Sequence, residues 1–85
     1  MKFRKKPIVI DAEYYDGSPE MNRYLIDWTR ASQTPMYMDK GELLVNTLEC
    51  TMIVQKGDYV IKGWLGEFYP CKSNIFEQTY EKVEE

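Results

Sequence analysis

Turn-forming residues recur at short intervals through the second half of this 85-residue chain. After Pro35, groups rich in Gly, Asp and Lys separate short runs of apolar and β-branched residues. Runs of this length suit strands and are too short for most helices. We therefore predict five antiparallel strands in this region, at residues 36–38, 43–48, 51–55, 59–62 and 67–69.

A strand and a helix precede this region. Apolar and polar residues alternate over residues 7–15, which is typical of a half-buried strand. Ser18 and Pro19 then form a typical helix start, because serine caps free backbone N–H groups and proline has no N–H to satisfy. We predict that the helix ends near Ala31 and buries an apolar stripe of Met21, Tyr24, Leu25 and Trp28.

A second helix is predicted near the C-terminal end. Ser73 or Asn74 can cap it, and Glu77 follows Asn74 at the spacing of a capping box. Its predicted buried face consists of Ile75, Phe76, Thr79, Tyr80 and Val83.

Together these elements predict one α+β domain over residues 1–85. We expect a curved antiparallel sheet or a small, partly open β-barrel of about five to six strands. One helix follows the first strand, and the other is C-terminal and packs against the sheet.

The chain contains no histidine and only two cysteines, Cys50 and Cys71. Histidine is the commonest general base and a common zinc ligand, and two thiols are too few for a disulfide scaffold or a four-thiolate site. Cys71 precedes the second helix, where a thiolate can be stabilised, but with no histidine as base a structural role is the preferred interpretation. We therefore expect no catalytic residue, no metal and no cofactor.

Acidic residues outnumber basic ones, and the formal net charge is −3. Asp11 and Glu13 lie two residues apart on the first strand, where a cation site or an acid–base pair is conceivable. With 14 acidic residues in the chain, a solvated strand face is the preferred interpretation. Four of the 11 basic residues lie at the start of the chain, at Lys2, Arg4, Lys5 and Lys6.

The acidic remainder disfavours binding to nucleic acid, which requires several basic contacts to phosphate. No apolar run reaches the length of a membrane span. We therefore expect a cytoplasmic protein with reduced thiols and no membrane association.

Three predicted turns have distinctive residues. Asp39-Lys40-Gly41-Glu42 is a predicted hairpin turn, and Gly57-Asp58 is a predicted structural turn in which glycine permits a positive φ and aspartate accepts backbone N–H groups. The third turn, Gly63-Trp64-Leu65-Gly66, places two large apolar side chains at a loop tip. Either these side chains fold back onto the core or they contact a partner. Trp64 and Leu65 are thus the first candidates for partner binding.

Aromatic residues make up 14% of the chain. Several tyrosines fall on predicted strands, so that one face of the sheet could present aromatic rings, as in proteins that stack bases. Aromatic rings also fill the cores of small domains. Tyr15 and Tyr69 are two further candidates for partner contact; the other strand tyrosines are Tyr14, Tyr37 and Tyr59.

Several segments point to a family. The chain opens with Lys2-Phe3-Arg4-Lys5-Lys6-Pro7-Ile8-Val9-Ile10-Asp11-Ala12-Glu13, and later segments are Gly57-Asp58-Tyr59-Val60-Ile61-Lys62-Gly63, Gly66-Glu67-Phe68-Tyr69-Pro70-Cys71-Lys72 and Ile75-Phe76-Glu77. In these segments the chain resembles a family of short phage and prophage hypothetical proteins with a Gly-Asp-Tyr core. It departs from the family at Lys56, where proline is expected, and at Cys50, where glycine is expected. The resemblance implies a phage or prophage origin and expression inside a bacterial host, and it implies no activity.

Two functional hypotheses follow. The first is a non-catalytic phage accessory protein that binds a host or phage protein through the Trp64 loop and an exposed strand edge. The alternative is a protein that binds a small molecule or nucleotide on its aromatic sheet face and sequesters it. Both are compatible with a homo-oligomer.

Overall fold

The computed structural model describes residues 1–3 and 8–83. The basic residues Arg4, Lys5 and Lys6, and Pro7 at the start of the first predicted strand, lie outside this part. Within it the chain forms six strands and two helices, in the order β1 (Asp11–Tyr14), α1 (Pro19–Thr29), β2 (Met36–Asp39), β3 (Glu42–Asn46), β4 (Thr51–Val54), β5 (Tyr59–Lys62), β6 (Phe68–Cys71) and α2 (Ser73–Thr79).

The α+β class is confirmed, with two helices and six antiparallel strands among the described residues, and the predicted arrangement of one curved sheet or partly open barrel is confirmed only in part. The described strands form two separate three-stranded antiparallel sheets, and they do not close into a barrel. One sheet, named sheet A, has the order β1-β5-β6, and the other, sheet B, has the order β2-β3-β4. The turn between β4 and β5 connects sheet B to sheet A. In sheet A, β5 pairs with β1.

α1 begins at Pro19 as predicted, because the Ser18 hydroxyl accepts a hydrogen bond of 3.1 Å from the backbone N–H of Met21. It ends at Thr29, two positions before the predicted end at Ala31. Leu25 is fully buried, whereas Tyr24 is exposed, so that the buried stripe is narrower than predicted.

α2 differs more from its prediction. Its N-cap is Lys72, whose side chain makes no capping hydrogen bond, so the predicted caps at Ser73 and Asn74 are wrong. No residue of α2 is fully buried. Phe76 and Tyr80 are half-buried, whereas the other three predicted contacts, Ile75, Thr79 and Val83, are exposed.

Two faces of sheet A are covered in different ways. On one face, Val60 and Phe68 join the main core, which also contains residues of α1 and sheet B. On the opposite face, Ile61 is buried and the ring of Tyr59 stacks on Phe76 of α2 at a centroid distance of 4.1 Å. The main core consists of Tyr15, Leu25, Met36, Leu43, Val45, Val54, Val60 and Phe68.

Neither helix of the described residues combines the length and apolar character that a membrane crossing requires.

Candidate functional site

The loop between β5 and β6 forms a closed hairpin tip. The N–H of Gly63 donates to the carbonyl of Glu67 at 2.8 Å, and the N–H of Gly66 donates back to the carbonyl of Gly63 at 2.9 Å. Gly66 has a φ of 86°, which favours glycine and is typical of the last residue of a three-residue hairpin loop. The tip therefore has a defined backbone and is not a loose loop.

Trp64 and Leu65 project from this tip into solvent. Trp64 is 73% exposed and Leu65 is 71% exposed, so neither side chain folds back onto the core. The interpretation that these side chains fold back onto the core is therefore wrong, and both are available for contact. We call residues 63–67 the hairpin tip.

A groove lies beside the hairpin tip. It consists of two depressions of about 440 and 310 Å³, and both are lined by Leu48, Glu67 and Phe68. Leu65 and Trp28 line the larger depression, and Leu48 is a large, exposed apolar residue. We call this feature the hairpin groove.

Hydrogen bonds and ring contacts fix the floor of the hairpin groove. The N–H of Phe68 donates to the hydroxyl of the buried Thr34 at 2.7 Å. The ring of Trp28 meets Phe68 edge to face at a centroid distance of 4.8 Å. These contacts join α1 and the loop that follows it to β6, so that the groove is preformed.

Leu48 was not predicted as a site residue, because residues 43–48 were assigned to one strand. In the structure β3 ends at Asn46, and Thr47 forms a turn with Cys50. The Thr47 hydroxyl accepts from the N–H of Cys50 at 3.1 Å. A threonine that ends an apolar run and precedes a turn is the sequence feature that could have indicated the exposure of Leu48.

The structure does not bring the four predicted contact residues together. Tyr15 is only 6% exposed, and its ring belongs to the main core while its hydroxyl donates to Asn22. The prediction that Tyr15 contacts a partner is therefore wrong, because Tyr15 is a core residue. Its pKa is raised, mainly by burial and also by the nearby Asp16.

Tyr69 lies on the other face of sheet A from the core and is half-buried. Burial is the main cause that raises its pKa to about 12, and the neighbouring Tyr80 adds to it. Tyr69 thus lies close to Tyr80 of the C-terminal segment, and it also lines the smaller depression of the hairpin groove. Of the four candidates, only Trp64 and Leu65 are adjacent and largely exposed.

Gly57 and Asp58 form the corner between the two sheets. Gly57 has a φ of 97°, and its N–H donates to the carbonyl of Tyr15 at 2.8 Å. The carboxylate of the buried Asp58 accepts from the N–H of Gln55 at 3.0 Å. The Asp58 carboxylate therefore forms its hydrogen bond within its own turn.

Within residues 1–3 and 8–83, the titratable side chains form no cluster with an evident chemistry. Among the described residues, no group of three or more Cys, Asp or Glu side chains could hold a metal ion. Cys50 and Cys71 are both free thiols. Burial, and then the nearby Asp58, raise the pKa of Cys71, which disfavours its thiolate.

The aromatic face of sheet A is partly covered by the C-terminal segment. The ring of Tyr14 meets Tyr59 edge to face at a centroid distance of 5.3 Å, and Phe76 stacks on Tyr59. An open trough of about 450 Å³ remains beside these rings, lined by Ile8, Val9, Ile10, Asp11, Ala12, Tyr59, Phe76, Tyr80, Glu81, Lys82 and Val83.

Comparisons with protein-family models, with curated proteins and with solved structures gave no significant match.

Proposed function

We propose that this chain is a small, non-catalytic protein-binding module that contacts its partner through the hairpin tip. The observation that supports the proposal is the pair of adjacent apolar side chains, Trp64 and Leu65, held in solvent by a hydrogen-bonded turn. The resemblance to phage and prophage proteins further suggests an accessory protein that acts in the cytoplasm of a bacterial host.

An exposed tryptophan contributes nothing to the core, whereas tryptophan buried at the centre of an interface is among the residues that contribute most to binding. The backbone of the tip is already ordered, so that little conformational entropy is lost on binding. Leu48 across the hairpin groove extends the apolar surface beside Leu65.

The charges around the groove favour a protein partner over a polyanion. Lys62 and Glu67 both line the larger depression, and Glu49 lines the smaller one. Phosphate groups would meet carboxylates here without the several basic contacts that they require. A mixed polar rim around an apolar centre is the usual composition of a protein–protein interface.

Trp64→Ala tests this proposal. The variant should remain as stable as the wild type, because its side chain is exposed, and should lose partner binding by about 2 kcal/mol, or roughly 30-fold. The measurement is recovery of a stoichiometric protein from bacterial host lysate on the immobilised chain. Ile53→Ala, which truncates an exposed apolar residue on sheet B, is the matched control and should bind like the wild type.

Two results would contradict the proposal. One is repeated recovery of no protein by the wild type. The other is equal recovery by the wild type and Trp64→Ala, with both variants folded in thermal denaturation, since binding would then use another surface.

The alternative function, binding of a nucleotide or another small molecule, is favoured by one observation. The trough beside the aromatic face has rings of Tyr59, Phe76 and Tyr80 in its lining, together with Lys82. However, Phe76 already stacks on Tyr59 in the position that a base would take. A stabilisation of about 2.7 kcal/mol by a nucleotide at 100 times its dissociation constant would favour this alternative, and unchanged thermal denaturation across mono-, di- and cyclic nucleotides would exclude it.

A further inference from the structure

The two edges of sheet A differ in what they offer to another strand. At β6, the outward N–H of Phe68 already donates to Thr34. The next outward position of β6 is Pro70, which has no N–H. The β6 edge is therefore closed to the addition of a strand, because its outward donors are bonded or absent.

The β1 edge, in contrast, can accept another strand, because its outward N–H groups are present and have no partner among the described residues. In the described part of the chain, β1 pairs only with β5. The N–H of Tyr15 donates to Asp58 at 2.8 Å, and antiparallel pairs alternate between bonded and non-bonded, so that Glu13 and Asp11 direct their backbone groups toward β5. The N–H and carbonyl groups of Ala12 and Tyr14 therefore point outward along the free edge.

The side chains beside this edge have opposite character on its two faces. Asp11 and Glu13 lie on one face, where the Tyr24 hydroxyl donates to Glu13 at 3.2 Å. Ala12 and Tyr14 lie on the other face, where the trough of about 450 Å³ is lined mainly by apolar and aromatic residues such as Ile10, with Asp11, Glu81 and Lys82 also in its lining. An added strand would thus meet the carboxylates of Asp11 and Glu13 on one face and a mainly apolar trough on the other.

This pattern also selects against a second copy of the chain. If two β1 strands paired about a two-fold axis, Asp11 and Glu13 of each copy would meet their own counterparts on the same face. Like charges opposite each other in a sheet are destabilising. The same carboxylates would instead attract lysine or arginine side chains on a different chain.

We propose that the free edge of β1 binds an extended segment of a partner protein in which basic and apolar residues alternate. Backbone hydrogen bonds to Ala12 and Tyr14 provide affinity, and the two faces read the alternating side chains. Basic side chains of the segment meet Asp11 and Glu13, and its apolar side chains enter the trough. This site is distinct from the hairpin tip, and the inference does not depend on the function proposed there.

A synthetic peptide tests the proposal directly. The probe is a fluorescent peptide of about eight alternating lysine and valine residues, long enough to pair with the whole edge. Its binding is measured by fluorescence anisotropy and compared with that of a glutamate–valine peptide. We expect the lysine–valine peptide to bind the wild type about tenfold more tightly than the glutamate–valine peptide.

Ala12→Pro is the informative protein variant. Proline removes the outward N–H at position 12 but no hydrogen bond of the β1–β5 ladder, and edge strands tolerate proline in this orientation. The variant should bind the lysine–valine peptide about tenfold more weakly than the wild type. Ala12→Thr keeps the N–H at this position and should therefore bind the lysine–valine peptide more tightly than Ala12→Pro does.

A second measurement does not depend on the folding of any variant. Methylation of alternate backbone nitrogens of the lysine–valine peptide removes its strand-pairing donors and keeps its charge, and this peptide should bind wild-type protein at least about tenfold more weakly. The double variant Asp11→Asn/Glu13→Gln should bind the lysine–valine and glutamate–valine peptides equally.

Three results would overturn the inference. These are no binding of the lysine–valine peptide by the wild type, equal binding of the N-methylated peptide, and no preference between the two charge patterns. Trp64→Ala should leave peptide binding unchanged, so that failure at β1 and failure at the hairpin tip are separate outcomes.

Discussion

Removal of the Thr34 hydroxyl tests how much its hydrogen bond stabilises the hairpin groove. This side chain is 1% exposed, and its oxygen accepts the hydrogen bond from the N–H of Phe68. The two residues are 34 positions apart, so that this contact fastens the loop after α1 to the edge of β6. Thr34→Val keeps the shape of the side chain and removes the acceptor.

The expected cost follows from the buried N–H that this change leaves behind. A buried donor that loses its partner costs about 1–3 kcal/mol. In a domain of this size, each kilocalorie per mole lowers the melting temperature by about 4–8 °C. Thr34→Val should therefore melt roughly 5–20 °C below the wild type. Thr34→Ser keeps the oxygen and removes one methyl group, which costs about 1 kcal/mol.

Circular dichroism follows both variants, with thermal denaturation for the melting temperature and urea denaturation for the free energy of unfolding. If the hydrogen bond to Phe68 stabilises the groove, Thr34→Val loses more free energy of unfolding than Thr34→Ser. If Thr34→Ser is the less stable of the two, the methyl group matters more than the hydroxyl, and the argument from the buried N–H is refuted.

Three further predictions concern single positions. Lys40 has a φ of 51° and precedes Gly41, whose φ is 81°, in the two-residue turn between β2 and β3. Asparagine tolerates this backbone conformation better than lysine does. Lys40→Asn should therefore raise the free energy of unfolding by up to about 1 kcal/mol, as measured by urea denaturation. Ser18→Ala removes the cap of α1 and should cost about 1 kcal/mol in the same assay, whereas Ser18→Asp should retain most of the stability. Because the pKa of Tyr69 is raised from 10.0 to about 12 in the folded chain, its contribution to stability is complete below the lower value and is lost as the pH rises through the higher one. Tyr69→Phe should remove that part of the alkaline decline, and a decline identical to that of the wild type would contradict this assignment.

Local signals in the sequence predicted the local structure well. The cap at Ser18, the turn at residues 39–42 and the strand at residues 59–62 all depend on near neighbours, and the structure confirms them. The first strand was predicted over residues 7–15, but in the described residues it begins at Asp11. Alternation alone does not show how far a partner strand extends, and β5 supplies partners only for residues 11–14.

The faces of the outer elements were harder to predict, because burial depends on what lies opposite. Tyr14 and Tyr15 are adjacent, and alternation alone places them on opposite faces of the strand without showing which face is buried. The structure exposes Tyr14 and buries Tyr15, because Tyr15 shares the face of Glu13 and its partner Val60, and this face of sheet A packs into the main core. Similarly, the apolar spacing of the C-terminal segment predicts a buried face, but Ile75, Thr79 and Val83 are exposed. Phe76 stacks on Tyr59 of sheet A, and Tyr80 packs against Phe76.

Both proposed binding surfaces depend on which strands are neighbours, and this property is not local. The sequence indicated that Trp64 and Leu65 lie in a turn, and the solvent exposure of both side chains follows from the hydrogen-bonded closure of that turn. No pattern within residues 11–14 shows that they form an edge, because a central strand and an edge strand can share the same alternation. The edge becomes evident only when Thr34 and Pro70 are seen to close the opposite side of sheet A and nothing among the described residues pairs with the outward groups of β1. Asp11 and Glu13, which composition alone marked as an ordinary solvated face, then acquire a specific role in the choice of strand that can be added.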